Sequence, residues 1–78
     1  MAATATDQEL TTTNPERLRT LREATGLTQE EFAGEMKIAR GTIGKLESRP
    51  VDRIDLFIMR RLSARFGVDV DNLLQVQK

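Results

Sequence analysis

Leu27-Thr28-Gln29-Glu30-Glu31-Phe32-Ala33, followed by Ile38 and then by Thr42-Ile43-Gly44-Lys45-Leu46-Glu47, is the stretch that decides how this chain folds. It reads as two short helices joined by a tight turn. Thr28 and Glu31 have the spacing of a capping box. The threonine oxygen accepts the Glu31 N–H, and the Glu31 carboxylate reaches back to the N–H of Thr28. Glu30 and Glu31 fall in the first turn, where the helix dipole favours anions. Phe32, Ala33 and Met36 make the apolar face of this helix, and Ala33 is small where a neighbour has to come close. The second helix runs from about Arg40 to Glu47. It carries two bases, Arg40 and Lys45, over a narrow apolar stripe of Ile43 and Leu46. Its cap is weak, because Ala39 has no side-chain oxygen. Gly41 and Gly44 each cost roughly 1 kcal/mol of helix propensity relative to alanine. Packing against the other helices has to hold it. A helix offered outward in this way suits the major groove of DNA.

Upstream, Asn14-Pro15 opens a first helix, with asparagine as cap and proline at the first helical position. Leu18 and Leu21 sit at helical spacing, and Gly26 is the stop. Downstream, Ser48-Arg49-Pro50 ends the short helix. Asp52 is expected to cap a fourth helix over about 53–66, with Ile54, Ile58, Met59, Leu62 and Phe66 on one side and Gly67 at its end. Asp69 is expected to cap a last helix over about 70–76, whose Leu73 and Leu74 fold back on the core. No segment reads as the period-two alternation of a strand. The expectation is an all-α, compact five-helix domain over residues 14–78. A disordered tail rich in threonine and alanine is expected over residues 1–13.

Seventy-eight residues suggest one domain with a modest core and no cysteines to staple it. The absence of cysteine suits a reducing cytoplasm. Met1-Ala2-Ala3-Thr4-Ala5-Thr6 lacks the basic start and apolar centre of a secretory signal, and no stretch approaches the roughly 20 apolar residues of a membrane span. Twelve bases balance 12 acids, a net charge of zero, whereas nucleic-acid binders are usually basic. The distribution is less neutral than the sum. Residues 27–36 hold Glu30, Glu31 and Glu35 and no base; residues 37–49 hold Lys37, Arg40, Lys45 and Arg49 against Glu47 alone. Local field, not net charge, decides whether a phosphate backbone is attracted.

Without histidine or cysteine the usual general base and thiol nucleophile are missing, and Ser48 and Ser63 have no evident activating partner. An enzyme is not expected, nor a metal or other cofactor. Gly41-Thr42-Ile43-Gly44 spells the G-x-x-G of an RNA clamp, but that module needs flanking strands. Gly44-Lys45 lacks the spacing of a phosphate loop. Leu56 and Phe57 lie off the apolar stripe of the fourth helix. With Leu73 and Val76 they are expected to form a surface for a second subunit or a partner.

The ordered set Leu18, Leu21-Arg22, Gly26 to Ala33, Ile38, Ile43, Leu46-Glu47, Leu62, Phe66-Gly67-Val68 and Leu73-Leu74 resembles the Cro/C1-type helix-turn-helix family of phage-repressor-like domains. The resemblance runs from about Arg17 to Leu74. It implies five helices, with 29–36 supporting and 40–47 as the recognition helix. It implies base contacts from Arg40, Gly41, Gly44 and Lys45. It places Gln29 on phosphate, with Thr28, Thr42, Lys37 and Arg49 beside it. It also implies a buried-edge ion pair of Arg22 with Glu47 that ties the first helix to the third, with a coupling nearer about 1 kcal/mol than about 4, since pairs at a domain edge are partly solvated. The chain departs from the family pattern at Lys37, where glycine is usual in the turn, and at Ala39, where a serine-like cap is usual. It departs again at Gly41 and Gly44, and at Ser48-Arg49, which replaces Asn-Gly. The implied function is a sequence-specific transcriptional regulator acting as a repressor. It would bind a near-palindromic operator in double-stranded DNA as a homodimer, in the bacterial cytoplasm. The alternative is an antitoxin or other module whose main partner is a second protein, a toxin or co-regulator, with DNA binding secondary.

Overall fold

The computed structural model describes residues 10–77. Strand β1 (Leu10–Thr13) leads into α1 (Pro15–Thr25), α2 (Gln29–Met36), α3 (Arg40–Ser48) and α4 (Leu56–Phe66). A single 3-10 turn (Val70–Leu73) follows, and strand β2 (Leu74–Gln77) closes the domain. Of the tail expected over residues 1–13, residues 1–9 lie outside the described residues, and residues 10–13 are not disordered but form β1, held by pairing with β2.

The first three helices follow from their termini. The Asn14 side chain accepts the Arg17 N–H, Pro15 opens α1, and Gly26 closes it in the left-handed region at φ 81°. In α2 both halves of the capping box are made: Thr28 Oγ1 accepts from Glu31 N at 3.1 Å, and Thr28 N donates to Glu31 Oε1 at 2.9 Å. α3 begins at Ala39 with no side-chain cap, as its sequence requires.

The second half corrects two expectations. α4 starts at Leu56, not near residue 53, and Asp55 rather than Asp52 caps it, accepting from Phe57 N at 3.0 Å and Ile58 N at 3.3 Å. Residues before Asp55 are held as a loop because Val51 is fastened to Thr13 from both sides. Thr13 N donates to Val51 O, and Val51 N donates to Thr13 Oγ1, each at 2.9 Å. The expected fifth helix over 70–76 is one 3-10 turn, with no side-chain cap from Asp69, followed by a strand. Among the described residues there are four α-helices, not five, and a strand pair where no strand was expected. Leu74-Gln75-Val76-Gln77 runs antiparallel to Leu10-Thr11-Thr12-Thr13, with Thr11 opposite Val76 and Thr13 opposite Leu74. Threonine suits an extended backbone, and the pairing ties the two ends of the chain together.

Among the described residues ten apolar ones are buried: Leu18, Phe32, Ala33, Met36, Ile38, Ile43, Leu46, Met59, Leu62 and Leu73. Every helix and the 3-10 turn contribute. The rings of Phe32 and Phe66 stack with centroids 5.4 Å apart. Arg61 of α4 donates to Met36 O, satisfying one of the carbonyls left free at the end of α2. Arg65 of α4 pairs with Glu35 of α2.

Candidate nucleic-acid interface

The turn between α2 and α3 is made by two residues with opposite tasks. Lys37 caps α2 in the left-handed conformation, at φ 57° and ψ 43°, and its side chain is exposed. It is the one non-glycine residue with positive φ among the described residues. A side chain there costs about 1 kcal/mol. Ile38 turns inward, donates its N–H to Ala33 O at 3.0 Å and is buried. The turn is thereby fixed on one side by backbone geometry and on the other by the core.

In α3, Ile43 and Leu46 face the core. Residues 40, 41, 44 and 45 sweep the side turned away from them, as helical geometry requires. Arg40, Gly41 and Lys45 are exposed; Thr42 and Gly44 are half-buried. A Cβ built on Gly41 meets nothing within 4 Å, whereas one built on Gly44 lies 3.7 Å from Gln29 Oε1. Gly44 therefore faces the start of α2, and Gly41 faces open solvent.

What holds α3 at this angle is a charged lock. Arg22 of α1 grips Glu47 with two parallel bonds, Nε to Oε2 at 2.7 Å and Nη2 to Oε1 at 3.1 Å. Arg22 Nη1 also donates to Leu27 O at 2.7 Å, and Gln29 Nε2 donates to Glu47 Oε1 at 3.1 Å. The Arg22 and Glu47 side chains are 10% and 5% exposed, so the pair is buried, as the expected buried-edge pair is, and less solvated than its expected coupling assumes. The hydrogen bond that Arg22 donates to Glu47 raises the guanidinium's pKa above its ordinary value, against a smaller lowering by burial. A base whose folded pKa is raised contributes its stability in full below its unfolded value, so this pair keeps its arginine charged throughout any working pH.

The remaining residues expected on phosphate lie around this helix. Thr28 is exposed at the start of α2, its hydroxyl engaged in the capping box. The backbone N–H of Gln29, at the first helical position, has no intrahelical partner. Arg49 is exposed at the end of α3. The structure adds Arg53, which with Lys45 and Arg49 lines a shallow groove of about 330 Å³. With Thr42 and Lys45 it also rims a second groove of about 230 Å³, floored by Leu46, Ile54, Ile58 and Met59. Arg53 extends the basic run of residues 37–49, a signal present in the sequence. Lys37, Arg40, Lys45, Arg49 and Arg53 form no ion pair among the described residues.

Of the surface expected to meet a second subunit, Leu56 and Phe57 stand out from α4, Phe57 at 71% exposure, and Val76 stands out from β2. Leu73 does not belong there. It is fully buried, because the 3-10 turn points it into the core. The Arg61 guanidinium lies 5.8 Å from the Phe57 ring centroid. Among the described residues no helix is long and apolar enough to cross a membrane, and no group of histidine, cysteine or carboxylate side chains is placed to hold a metal ion.

Residues 18–73 match the family model for the helix-turn-helix. No curated protein matches the chain.

Proposed function

The chain belongs to the Cro/C1-type helix-turn-helix family of DNA-binding transcription regulators, and from that premise we propose that it is a sequence-specific repressor. It binds a near-palindromic operator as a homodimer, with α3 of each subunit in the major groove. Arg40 and Lys45 reach guanine O6 and N7, the commonest specific contact. Gly41 and Gly44 let the helix backbone come close to the base edges. Lys37, Thr28, Thr42, Arg49 and the backbone N–H of Gln29 meet phosphates, and Arg53 continues that track. These contacts supply most of the affinity and little of the selectivity. The reading rests on one observation: a buried lock, Arg22 with Glu47, fastens α3 to α1, while five cations around it form no ion pair among the described residues of a chain of zero net charge.

One domain of this size makes few phosphate contacts. Two copies about a two-fold axis place their α3 helices about 34 Å apart, one turn of DNA. Leu56 and Phe57, exposed beside one another on α4, supply the shared surface. Such a dimer acts in the cytoplasm, on nucleoid DNA, by occupying a site that polymerase needs. The same apolar pair suits a foreign protein, which is the observation favouring the antitoxin reading. Selection of bound DNA from random sequence, with sedimentation of the free protein, tests both. A palindrome with half-sites about 10 bp apart and a dimer at micromolar concentration support the proposal. A monomer both free and on DNA, with a second protein co-purifying from the source cells, supports the alternative.

A further inference from the structure

Arg53 has a second setting besides the phosphate track. Val51 is fastened to Thr13 from both sides, so the chain after α3 stays a loop until Leu56. Where that loop parts α3 from α4, a groove of about 230 Å³ opens. Its floor is apolar: Leu46 and Met59 are buried, and Ile54 and Ile58 are half-buried. Its rim carries Lys45 and Arg53, neither in an ion pair among the described residues. The lining holds one acid, Asp55, whose Oδ1 already accepts from Phe57 N and Ile58 N at the start of α4. An apolar floor under two cations suits an anion with an apolar body. Inorganic phosphate meets only the rim, and a neutral hydrocarbon meets only the floor. The volume is below the roughly 300–1,000 Å³ that holds drug-sized ligands, so the occupant is a single ring or a short alkyl chain.

We infer that this groove binds a small amphipathic monocarboxylate, and that the bound molecule excludes DNA. Its ring or chain covers Ile54 and Ile58. Its carboxylate takes Arg53, whose planar guanidinium matches two carboxylate oxygens, with Lys45 as the second charge. Lys45 is the link to function, because it lies both on the rim of this groove and on the face of α3 proposed to meet guanine. With Lys45 drawn to the carboxylate, the operator loses one of its two guanine readers, and the added negative charge beside α3 repels phosphate. Linkage makes the effect reciprocal: operator DNA weakens carboxylate binding by the same factor. Binding in the groove stands on the geometry alone, whereas exclusion of DNA rests on α3 lying in the major groove, as proposed above.

The test follows the backbone amides of the full chain by heteronuclear NMR, with phenylacetate as the probe. Sodium acetate, which has the charge but no ring, and phenylacetamide, which has the ring but no charge, are the controls, all at one ionic strength. Phenylacetate should shift the amides of Leu46, Ile54 and Ile58 saturably, and each control should bind about tenfold more weakly or worse. Arg53→Gln changes an exposed side chain and should weaken phenylacetate about tenfold without lowering the melting temperature. On the selected operator, phenylacetate at about ten times its dissociation constant should lower the apparent affinity of wild type about tenfold, as competition requires. Ile54→Ala, which touches nothing assigned to DNA, should keep its operator affinity without the probe and lose less of it at the same probe concentration. No saturable shift in the groove, or equal binding of phenylacetamide, would overturn the site. Shifts in the groove with operator affinity unchanged would overturn the exclusion of DNA. If wild type enriches no sequence, the proposed function fails, and the amide shifts still decide the groove.

Discussion

The two ends of this small core are closed by different devices. Where α1, α2 and α3 meet, the closure is charged: Arg22, Glu47, Gln29 and Leu27 O form one connected network around a buried ion pair. Where the chain ends meet, the closure is neutral. Thr13, fully buried, uses its N–H and hydroxyl on Val51 and accepts from Gln75 Nε2 at 3.2 Å. The bonds to Glu47 span 18 to 25 residues of sequence, while those of Thr13 to Val51 and Gln75 span 38 to 62. The first carries the helix that meets DNA, and a bidentate buried pair fixes direction as well as distance. The second only has to keep the ends together, and a threonine does that without the desolvation cost of a buried charge.

Breaking the charged closure should have the largest effect. Arg22→Ala and Glu47→Ala each leave a buried charge without its partner, at about 3–5 kcal/mol, a large share of the stability of so small a domain. Urea titration of the two single variants and the double variant should show a coupling of about 2–3 kcal/mol. Additive costs would mean that the two side chains stabilise the fold independently, and the contrast between the closures would fail.

The neutral closure should break more gently. Thr13→Val keeps the shape but deprives the Val51 N–H of its acceptor, at about 1–3 kcal/mol. Thr13→Ser, which keeps the hydroxyl, should cost less. Neither should alter operator preference in the folded protein. A valine variant as stable as wild type would show that the Thr13 hydroxyl does not hold the ends.

A smaller effect sharpens the comparison at the turn. Lys37→Gly should raise stability by about 0.5 kcal/mol, since relief of left-handed strain outweighs the greater freedom of glycine in the unfolded chain. It should also weaken binding to all DNA alike, with a shallower salt dependence, if Lys37 meets phosphate. A destabilised variant would mean that the lysine stem makes packing contacts worth more than the strain.

The same contrast decides what could be read from the sequence. Helix ends in the charged half are written in neighbouring residues: Thr28 with Glu31, Asn14 before Pro15, Gly26 as the stop. The apolar positions Leu18, Phe32, Ile43 and Leu46 then fix which faces meet, and the cations of α3 fall outward by geometry. The neutral half depends on a pairing between residues 10–13 and 74–77, which no local pattern announces. Leu74-Gln75-Val76-Gln77 does alternate, but four residues are too few to separate a strand from the end of a helix. Asp52 and Asp55 are equally good caps on paper; only the fastening of Val51 to Thr13 selects Asp55. Burial of the Arg22–Glu47 pair and the Gln29 bond to Glu47 likewise needed three helices in place.

The central claim is that α3 reads bases, and Arg40 tests it most directly. Its side chain is exposed, so Arg40→Ala should leave the melting temperature unchanged. Affinities of wild type and variant are measured at one salt concentration on the selected operator, on its single-base-pair variants and on random DNA. The account predicts a loss of about 1–3 kcal/mol on the operator, selectivity relaxed at one base pair per half-site, and binding to random DNA changed far less. An equal loss on operator and random DNA, with base preference intact at every position, would contradict it.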